Sequence, residues 1–322
     1  MQRGIDNPTN FNIKILKQMK LSMLGVSRSG KTCYVSAMSQ VLQACKLGNG
    51  CQMSLKANDI TQQLELNNNF MMMVTEHEWP QGTDVTTSYD FRIHFQCADA
   101  SLQLPSLTMD DYRGGMLTGM GPEDVEDRSD FINSLSDTAV IIFLIDGTTI
   151  LNAMDELDKD ASHRGTTEAS EKLAAINEIS IMENILYQRI KHKENIPPVL
   201  IVVTKSDVFA TKEELNNGMD LVKTLLFTLF SHGNKLFVGI TSVSLGLGLD
   251  KDDNNRIIGQ LDISTQNNIH LPMLFAFYAY LDAMYKTLPN KRNVDLITSA
   301  IRKIFAGKIM FYDNGLPASS ID

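Results

Sequence analysis

Cysteine is scarce, and its spacing does not suit metal chemistry. The four in the chain, Cys33, Cys45, Cys51 and Cys97, form no C-x-x-C pair and have no histidine at ligand spacing. This argues against a zinc site, and the six histidines are scattered rather than clustered. Free thiols are the expectation, as in a reducing compartment. Long uncharged apolar runs are missing, so no transmembrane segment is expected. The opening stretch, Met1-Gln2-Arg3-Gly4-Ile5-Asp6-Asn7-Pro8, lacks the apolar core of a signal peptide, and a cytoplasmic protein is expected. Positive charge is in deficit. A formal net charge of -9 argues against broad binding to nucleic acid or an anionic membrane. No internal repeat is visible.

What remains is an ordinary globular composition in 322 residues, ample for a sizeable core. One stretch stands out in it. An apolar run, Leu21 to Leu24, ends at Gly25 and is followed by Val26-Ser27-Arg28-Ser29-Gly30-Lys31-Thr32. That is G-x-x-x-x-G-K-T. Cys33 to Leu42 then places apolar residues at helical spacing. Strand, glycine loop and helix are the context a phosphate-binding loop needs. Glycines let the loop wrap an anion. Its N–H groups, those of Ser27 to Cys33 among them, point inward, and the helix adds the positive end of its dipole. Lys31 would put a point charge on the phosphates, and the Thr32 hydroxyl would ligate Mg²⁺. The loop specifies a nucleotide without specifying the base.

The rest of the chain alternates strands with helices. The helix after Thr32 is read as ending near Gly48-Asn49-Gly50. A second helix covers Asp59 to Glu76, with Leu64, Leu66, Phe70, Met71 and Val74 as its apolar positions. A half-buried strand runs from Tyr89 to Gln96 and returns as an antiparallel strand from Leu102 to Met109. It delivers Asp110-Asp111-Tyr112-Arg113-Gly114-Gly115. Residues 116–130 read as a loop and the start of a helix. Ala139 to Ile145 and Val199 to Val203 are continuous apolar runs, the mark of parallel strands covered on both faces. A helix containing Leu173, Ile176, Ile179, Ile185, Leu186 and Ile190 lies between them. Val199 to Val203 delivers Thr204-Lys205-Ser206-Asp207, and a further strand at Leu236 to Ile240 ends in Thr241-Ser242-Val243-Ser244. A helix from His270 to Tyr285, apolar most ways round, packs on the sheet. Another covers Asn293 to Ala306, and the last ten residues read as a loose tail.

The fold class expected is therefore α/β, a mostly parallel sheet with one antiparallel strand and helices on both faces. Extra helices are expected near residues 48–82 and at the C-terminus. Ligands bind at the carboxyl ends of such strands, where the glycine loop, Asp111, Asp207 and Ser242 all fall. In order and position these pieces resemble the P-loop GTPases of the translation-factor-like (TRAFAC) class, over residues 15–286. Residues 1–14 form a lead-in, 287–322 a C-terminal helix and tail, and insertions fall at 48–82, 151–170 and 245–268. The long insertions and the D-Y-R-G-G sequence are similar to bacterial GTPases of multi-gene systems.

The resemblance implies roles residue by residue. Asp111 and Gly114 match D-x-x-G: the aspartate would hold Mg²⁺ through water, and the glycine N–H would meet the γ-phosphate. Thr204, Lys205 and Asp207 match N/T-K-x-D. There the carboxylate accepts from guanine N1 and N2, a donor pair adenine lacks. Ser242 and Val243 occupy the loop whose N–H contacts guanine O6. A switch threonine, ligand to Mg²⁺ and γ-phosphate, falls at Thr83, Thr86 or Thr87, with Thr83 preferred because Trp79-Pro80-Gln81-Gly82 makes a hinge before it. Gly115 stands where Ras-like members carry the glutamine that orients the attacking water. The resemblance thus implies a GTP/GDP-binding switch that hydrolyses GTP slowly. Arg28, Arg113 or Arg128 are candidate charge-stabilising groups. A protein partner, or a second copy of the chain, would engage residues 48–88 and 113–130. A nucleotide-bound scaffold without turnover, an ATPase and a P-loop kinase are the competing readings. Thr204 to Asp207 weighs against the ATPase, and the lack of an arginine-rich lid against the kinase.

Overall fold

The computed structural model describes residues 18–25, 29–81, 85–97, 100–113, 116, 121–135, 137–158, 179–189, 191–192, 196–231, 236–286, 288, 291–313 and 315–318. The lead-in 1–14 lies outside these residues, as do Leu173, Ile176, Ile190 and most of the insertion at 151–170.

Strand β1 (Met19–Gly25) is followed by helix α1 (Lys31–Val41). The chain does not stay helical to Gly48-Asn49-Gly50. After a short 3-10 turn it forms a hairpin of β2 (Cys45–Gly48) and β3 (Cys51–Ala57). Cys51, Met53, Leu55 and Ala57 are buried while Gln52 and Lys56 are exposed, which is strand periodicity. Gly48, Asn49 and Gly50 take φ of +82°, +52° and +72°, so they turn a hairpin rather than end a helix.

The expected second helix is present as α2 (Ile60–Met71), which continues as a π-helical turn at Met72–Glu76. Asp59 caps it by accepting from the N–H groups of Thr61 and Gln62. Its inward stripe is Leu66 and Met73, whereas Leu64, Met71 and Val74 are exposed, against expectation. Leu64 and Leu66 are two residues apart, about 200° round a helix, so only one of them can face the sheet.

Strand β4 (Thr87–Cys97) alternates as expected, with Phe91, Ile93 and Phe95 buried. The single returning strand expected at Leu102 to Met109 is two strands, β5 (Ala100–Gln103) and β6 (Leu107–Asp111), both antiparallel to β4. Pro105, which has no N–H to give a ladder, lies in the break between them. Cys51 and Cys97 meet across β3 and β4, whose register pairs Gln52 with Gln96, and they form a disulfide. The free-thiol expectation holds only for Cys33 and Cys45. The spacing hid the pair because the sheet, not the local sequence, brings its members together.

The remaining elements are α3 (Pro122–Ser134), β7 (Val140–Asp146), α4 (Gly147–Asp158), α5 (residues 179–189), β8 (Val199–Thr204), α6 (Lys212–Leu225), α7 (Phe227–Phe230) and β9 (Phe237–Ser242). The insertion after β9 is a hairpin of β10 (Gly246–Lys251) and β11 (Ile257–Leu261). Helices α8 (Leu271–Met284) and α9 (Lys291–Phe305) follow. Strand β12 (Met310–Asp313) comes just before the last ten residues and shares Asp313 with them, and β13 (Leu316–Ala318) lies inside the stretch read as a loose tail; both extend the sheet beside β9.

The eleven-stranded sheet runs β13-β12-β9-β8-β7-β1-β6-β4-β3-β2, with β5 paired to β4. Its centre, β9-β8-β7-β1-β6, is parallel. The antiparallel β4 joins β6 as expected, and further antiparallel strands lengthen both sides. Helices cover both faces. One core gathers Tyr34, Val35 and Met38 of α1, the apolar α8, and Val294, Ile297 and Ile301 of α9. The other gathers Phe131 of α3, Ile150 of α4, Ile179, Met182 and Leu186 of α5, and Val222 of α6. Phe95 of β4 meets Phe277 of α8 edge to face, with centroids 5.8 Å apart. Because the central strands are parallel, Gly25, Asp111, Asp146, Thr204 and Ser242 come out along one side of the sheet.

His270, just before α8, is buried, and its Nδ1 has no hydrogen-bond partner. Burial, with the Lys308 charge beside it, pushes its pKa from 6.5 down to about 4. The unfolded chain therefore binds more protons between these values, and stability falls as pH drops through that window. The expected loss is roughly 3 kcal/mol from pH 7 to pH 4. Urea unfolding across that range should show His270→Gln losing less stability than the parent. An equal loss in both would assign the pH dependence to other groups.

Candidate functional site

The site assembles along that carboxyl side. Gly25 closes β1. A Cβ there would sit 2.4 Å from Ser29 Oγ and 3.1 Å from the Leu144 side chain, so a larger residue would have to displace both. Gly30 takes φ +79° immediately before α1, the left-handed turn that lets the loop enter the helix. Lys31, the first residue of α1 and buried, donates from Nζ to the Gly25 carbonyl at 3.0 Å. Its ammonium thus folds back over the mouth of the loop. Thr32 and Cys33 follow in the first helical turn. Desolvation pushes the Cys33 thiol up to about 12, against the pull of Lys205, so it is a neutral thiol. Ser27, Arg28, Thr83, Gly114 and Gly115 lie outside the described residues.

Asp111 ends β6, opposite Met23 of β1. It is buried, and neither carboxylate oxygen has a hydrogen-bond partner. Burial raises its pKa from 3.8 to about 7, against the lowering effect of Lys31. A buried carboxylate with both oxygens unsatisfied fits a group that brings positive charge. No cluster of three or more His, Cys, Asp or Glu side chains suited to a metal occurs among the described residues. Magnesium needs no such cluster when phosphates and water complete its shell. Thr86, adjoining β4 where Thr87 pairs with Asp111, has a buried hydroxyl with no hydrogen-bond partner.

The other half of the site is built by β8 and β9. Thr204 Oγ1 donates toward Ser29 O at 2.9 Å and Ile145 O at 3.2 Å. Lys205 takes φ +51°, which swings the chain into a short 3-10 turn at Ser206–Val208. Its Nζ meets Asp146 Oδ2 at 2.6 Å, and Asp146 Oδ1 accepts from the Thr148 N–H. Asp207 Oδ2 accepts from the Leu249 N–H of β10 at 2.9 Å. Val243 donates its N–H to Val203 O, and Ser244 donates to Asn267 O. A contact from the Val243 N–H to a base would therefore require giving up a sheet hydrogen bond.

Asp146 and Leu249 went unnoticed in the sequence. Asp146 had a signal, since it ends an apolar strand at the side where ligands bind. Leu249 had none, because it acts through its backbone across an insertion. Arg113 donates to Asp124 and Asp127 of α3, both at 2.6 Å, and Arg128 donates to Met116 O. Arg113 is thereby held on α3.

A family model, Double-GTPase 1, matches residues 22–268. The chain belongs to the Double-GTPase 1 family. Membership makes it a P-loop GTPase by descent, with a GTP-binding domain of that kind. The matched region spans the glycine loop, Asp111, Thr204 to Asp207 and the β10–β11 hairpin. No curated protein matches the chain. Among solved structures it is similar to a signal recognition particle receptor SRb-GTP/SRX complex from Chaetomium thermophilum. That match has 15% identity and a TM-score of 0.36, covering 71% of this chain and 91% of that one. It is also similar to a variant of SsGBP, at 14% identity and a TM-score of 0.32. There it covers 71% of this chain and 49% of that chain, about half its length. No helix among the described residues is long and apolar enough to cross a membrane.

The raised Asp111 pKa predicts a pH-dependent cost in the nucleotide-free protein. The folded state binds more protons than the unfolded state between pH 3.8 and about 7, so Asp111 lowers stability as pH rises through that window. Asp111→Asn, with no charge to bury, is expected to melt higher than the parent at pH 8, and the gap should close by pH 4. Thermal melts at the two pH values test this. A variant less stable than the parent at pH 8 would mean that the native carboxylate is satisfied.

Proposed function

We propose that the chain is a GTP-driven switch that hydrolyses GTP slowly to GDP and phosphate. The observation that carries the reading is Asp111, a buried carboxylate with no partner facing the phosphate loop, on the same side of the sheet as Asp207. In this reading the loop from Gly25 to Cys33 cradles the phosphates and Lys31 leaves the Gly25 carbonyl for them. Thr32, Asp111 and a switch threonine hold Mg²⁺, which neutralises phosphate charge. Thr83 was the sequence preference for that threonine. The unpartnered Thr86 hydroxyl beside Asp111 supports Thr86 instead. The Gly114 N–H faces the γ-phosphate. Asp207 reads guanine, Lys205 lies along the base, Thr204 braces the loop, and Ser242 and Val243 line the base.

Gly115 offers no side chain to orient water, and Arg113 is engaged by two carboxylates. Hydrolysis by the isolated chain is therefore slow, and a partner or second copy supplies the missing charge, a contribution of about 10³–10⁵ in rate. The exposed face of α2, with Ile60, Leu64, Met71 and Val74, lies in the region proposed to meet that partner. The scaffold reading is favoured by the same Gly115 and differs in having no turnover at all.

Equilibrium binding of GTP, GDP, ATP and XTP tests the base. GTP and GDP should bind far more tightly than ATP, and Asp207→Asn should shift preference to xanthine nucleotides. Lys31→Ala should weaken GTP by at least about tenfold, the loss of one charge-assisted contact. Equal affinity for ATP and GTP in the parent would refute the guanine reading. Single-turnover hydrolysis separates switch from scaffold. A slow rate that rises with protein concentration or an added partner is expected of the switch. Fast hydrolysis unaffected by concentration or by Arg28→Ala refutes the slow-switch model.

A further inference from the structure

The insertion after β9 touches two places that lie far apart in sequence. At one end, the Leu249 N–H donates to Asp207 Oδ2 at 2.9 Å. At the other, the hairpin grips the segment that follows α2. Ile257 N–H donates to His77 O at 2.7 Å, and Trp79 N–H donates to Asn255 O at 3.2 Å. Asn255 Nδ2 donates to Trp79 O at 2.9 Å, and Trp79 Nε1 donates to Asp250 O at 3.2 Å. Glu78 and Arg256 form a β-bridge at the same place.

The hairpin's sequence explains how the first contact arises. Leu247 pairs with Gln260 and Asp250 with Ile258, so Gly248 and Leu249 together oppose Gly259. That is a β-bulge, and Gly248 takes φ +59°, the left-handed conformation such a bulge requires of its first residue. Opposite it, a Cβ on Gly259 would lie 2.3 Å from Gly248 O. A bulge leaves one residue out of the ladder. Here the N–H released is that of Leu249, and it turns to the carboxylate.

We infer that the β10–β11 hairpin is a strut that orients the Asp207 carboxylate for the base and couples base occupancy to residues 77–79. The inference rests on the reading of Asp207 as the guanine acceptor. An ionised carboxylate offers roughly four lone-pair positions. One bond from Leu249 therefore restrains Oδ2 and leaves positions for N1–H and N2–H of the base. Leu249 is a positioning residue, acting through its backbone. At the far end, residues 77–79 lead directly into the segment containing the candidate switch threonines. A base that draws Asp207 into a new geometry pulls on the same hairpin that holds Trp79. Linkage makes the effect mutual: a protein that binds and shifts residues 77–79 changes guanine affinity by the same factor.

Trp79 is the sole tryptophan, so its emission reports on the junction. The experiment titrates GDP and ADP into the full chain, reading Trp79 fluorescence and, separately, affinity by calorimetry. In the parent, GDP is expected to change Trp79 emission and ADP is not. Leu249→Pro removes the donor and should lower GDP affinity and the GDP-over-ADP ratio by about tenfold. It should also abolish the emission change at saturating GDP. Leu249→Ala keeps the N–H and should retain the ratio. Asn255→Gly keeps the turn and the backbone bonds but removes the Asn255 Nδ2 bond to Trp79 O, and it should shrink the emission change while retaining the ratio. Gly248→Ala, which strains the bulge without deleting any donor, gives a second route to the same loss if the proline variant does not fold. A parent that prefers GDP, with Leu249→Pro and Gly248→Ala both keeping its ratio and its emission change, overturns the strut and leaves the base reading intact. A parent that does not distinguish GDP from ADP overturns the base reading and the strut with it.

Discussion

The hydrogen bond from the Thr204 hydroxyl to the Ser29 carbonyl holds the two halves of the site together. Ser29 lies in the loop after β1 and Thr204 ends β8, with β7 between them. The sheet fixes the strands, and this bond ties the loop at Ser29 to the base-side turn. A threonine hydroxyl has one proton, and two carbonyls compete for it, those of Ser29 and Ile145. An asparagine amide in the same place would bring two donors. Threonine therefore keeps the brace in its minimal form, and the loop's position depends on how one proton is shared.

Around that brace stand three carboxylates with different partners. Asp111 is buried beside Lys31, Asp146 is neutralised by Lys205, and Asp207 is held by a backbone donor. Of these three carboxylates, Asp111 alone lacks a hydrogen bond among the described residues. An acidic chain with a carboxylate in this position would repel phosphate unless a cation came with it. In the proposed switch, the carboxylate that is costly to bury unpaired is the one that would favour a nucleotide arriving with its cation.

Much of the fold was legible because the chain repeats its periods. Val140 to Ile145 and Val199 to Val203 are apolar throughout and became central parallel strands; Tyr89 to Gln96 alternates and became a half-buried one. The candidate site could be named where a motif carries its own chemistry, as at Gly30-Lys31-Thr32 and Thr204 to Asp207, and the sheet brings those motifs to one side. The errors have local causes. Cys45 to Ala57 alternates too, but the helix before it masked the change of period at Ala44. On α2, two apolar stripes compete, and sequence alone does not say that Leu66 and Met73 win over Leu64 and Met71. The Cys51–Cys97 bond and the Leu249 contact depend on strand register, which a linear reading does not contain.

The edge beyond β9 has a consequence for how the chain is made. Phe237 to Ile240 of β9 find their outer neighbour only in Met310 to Asp313. Until the ribosome has released that stretch, the apolar β9 stands as a bare edge while the rest of the sheet can already form. A bare edge of this kind is a template for pairing with another nascent chain. When β12 arrives it closes that template, and β13 carries Pro317, which has no N–H to offer a further strand. The segment that ends the exposure of β9 is therefore made well after β9 itself.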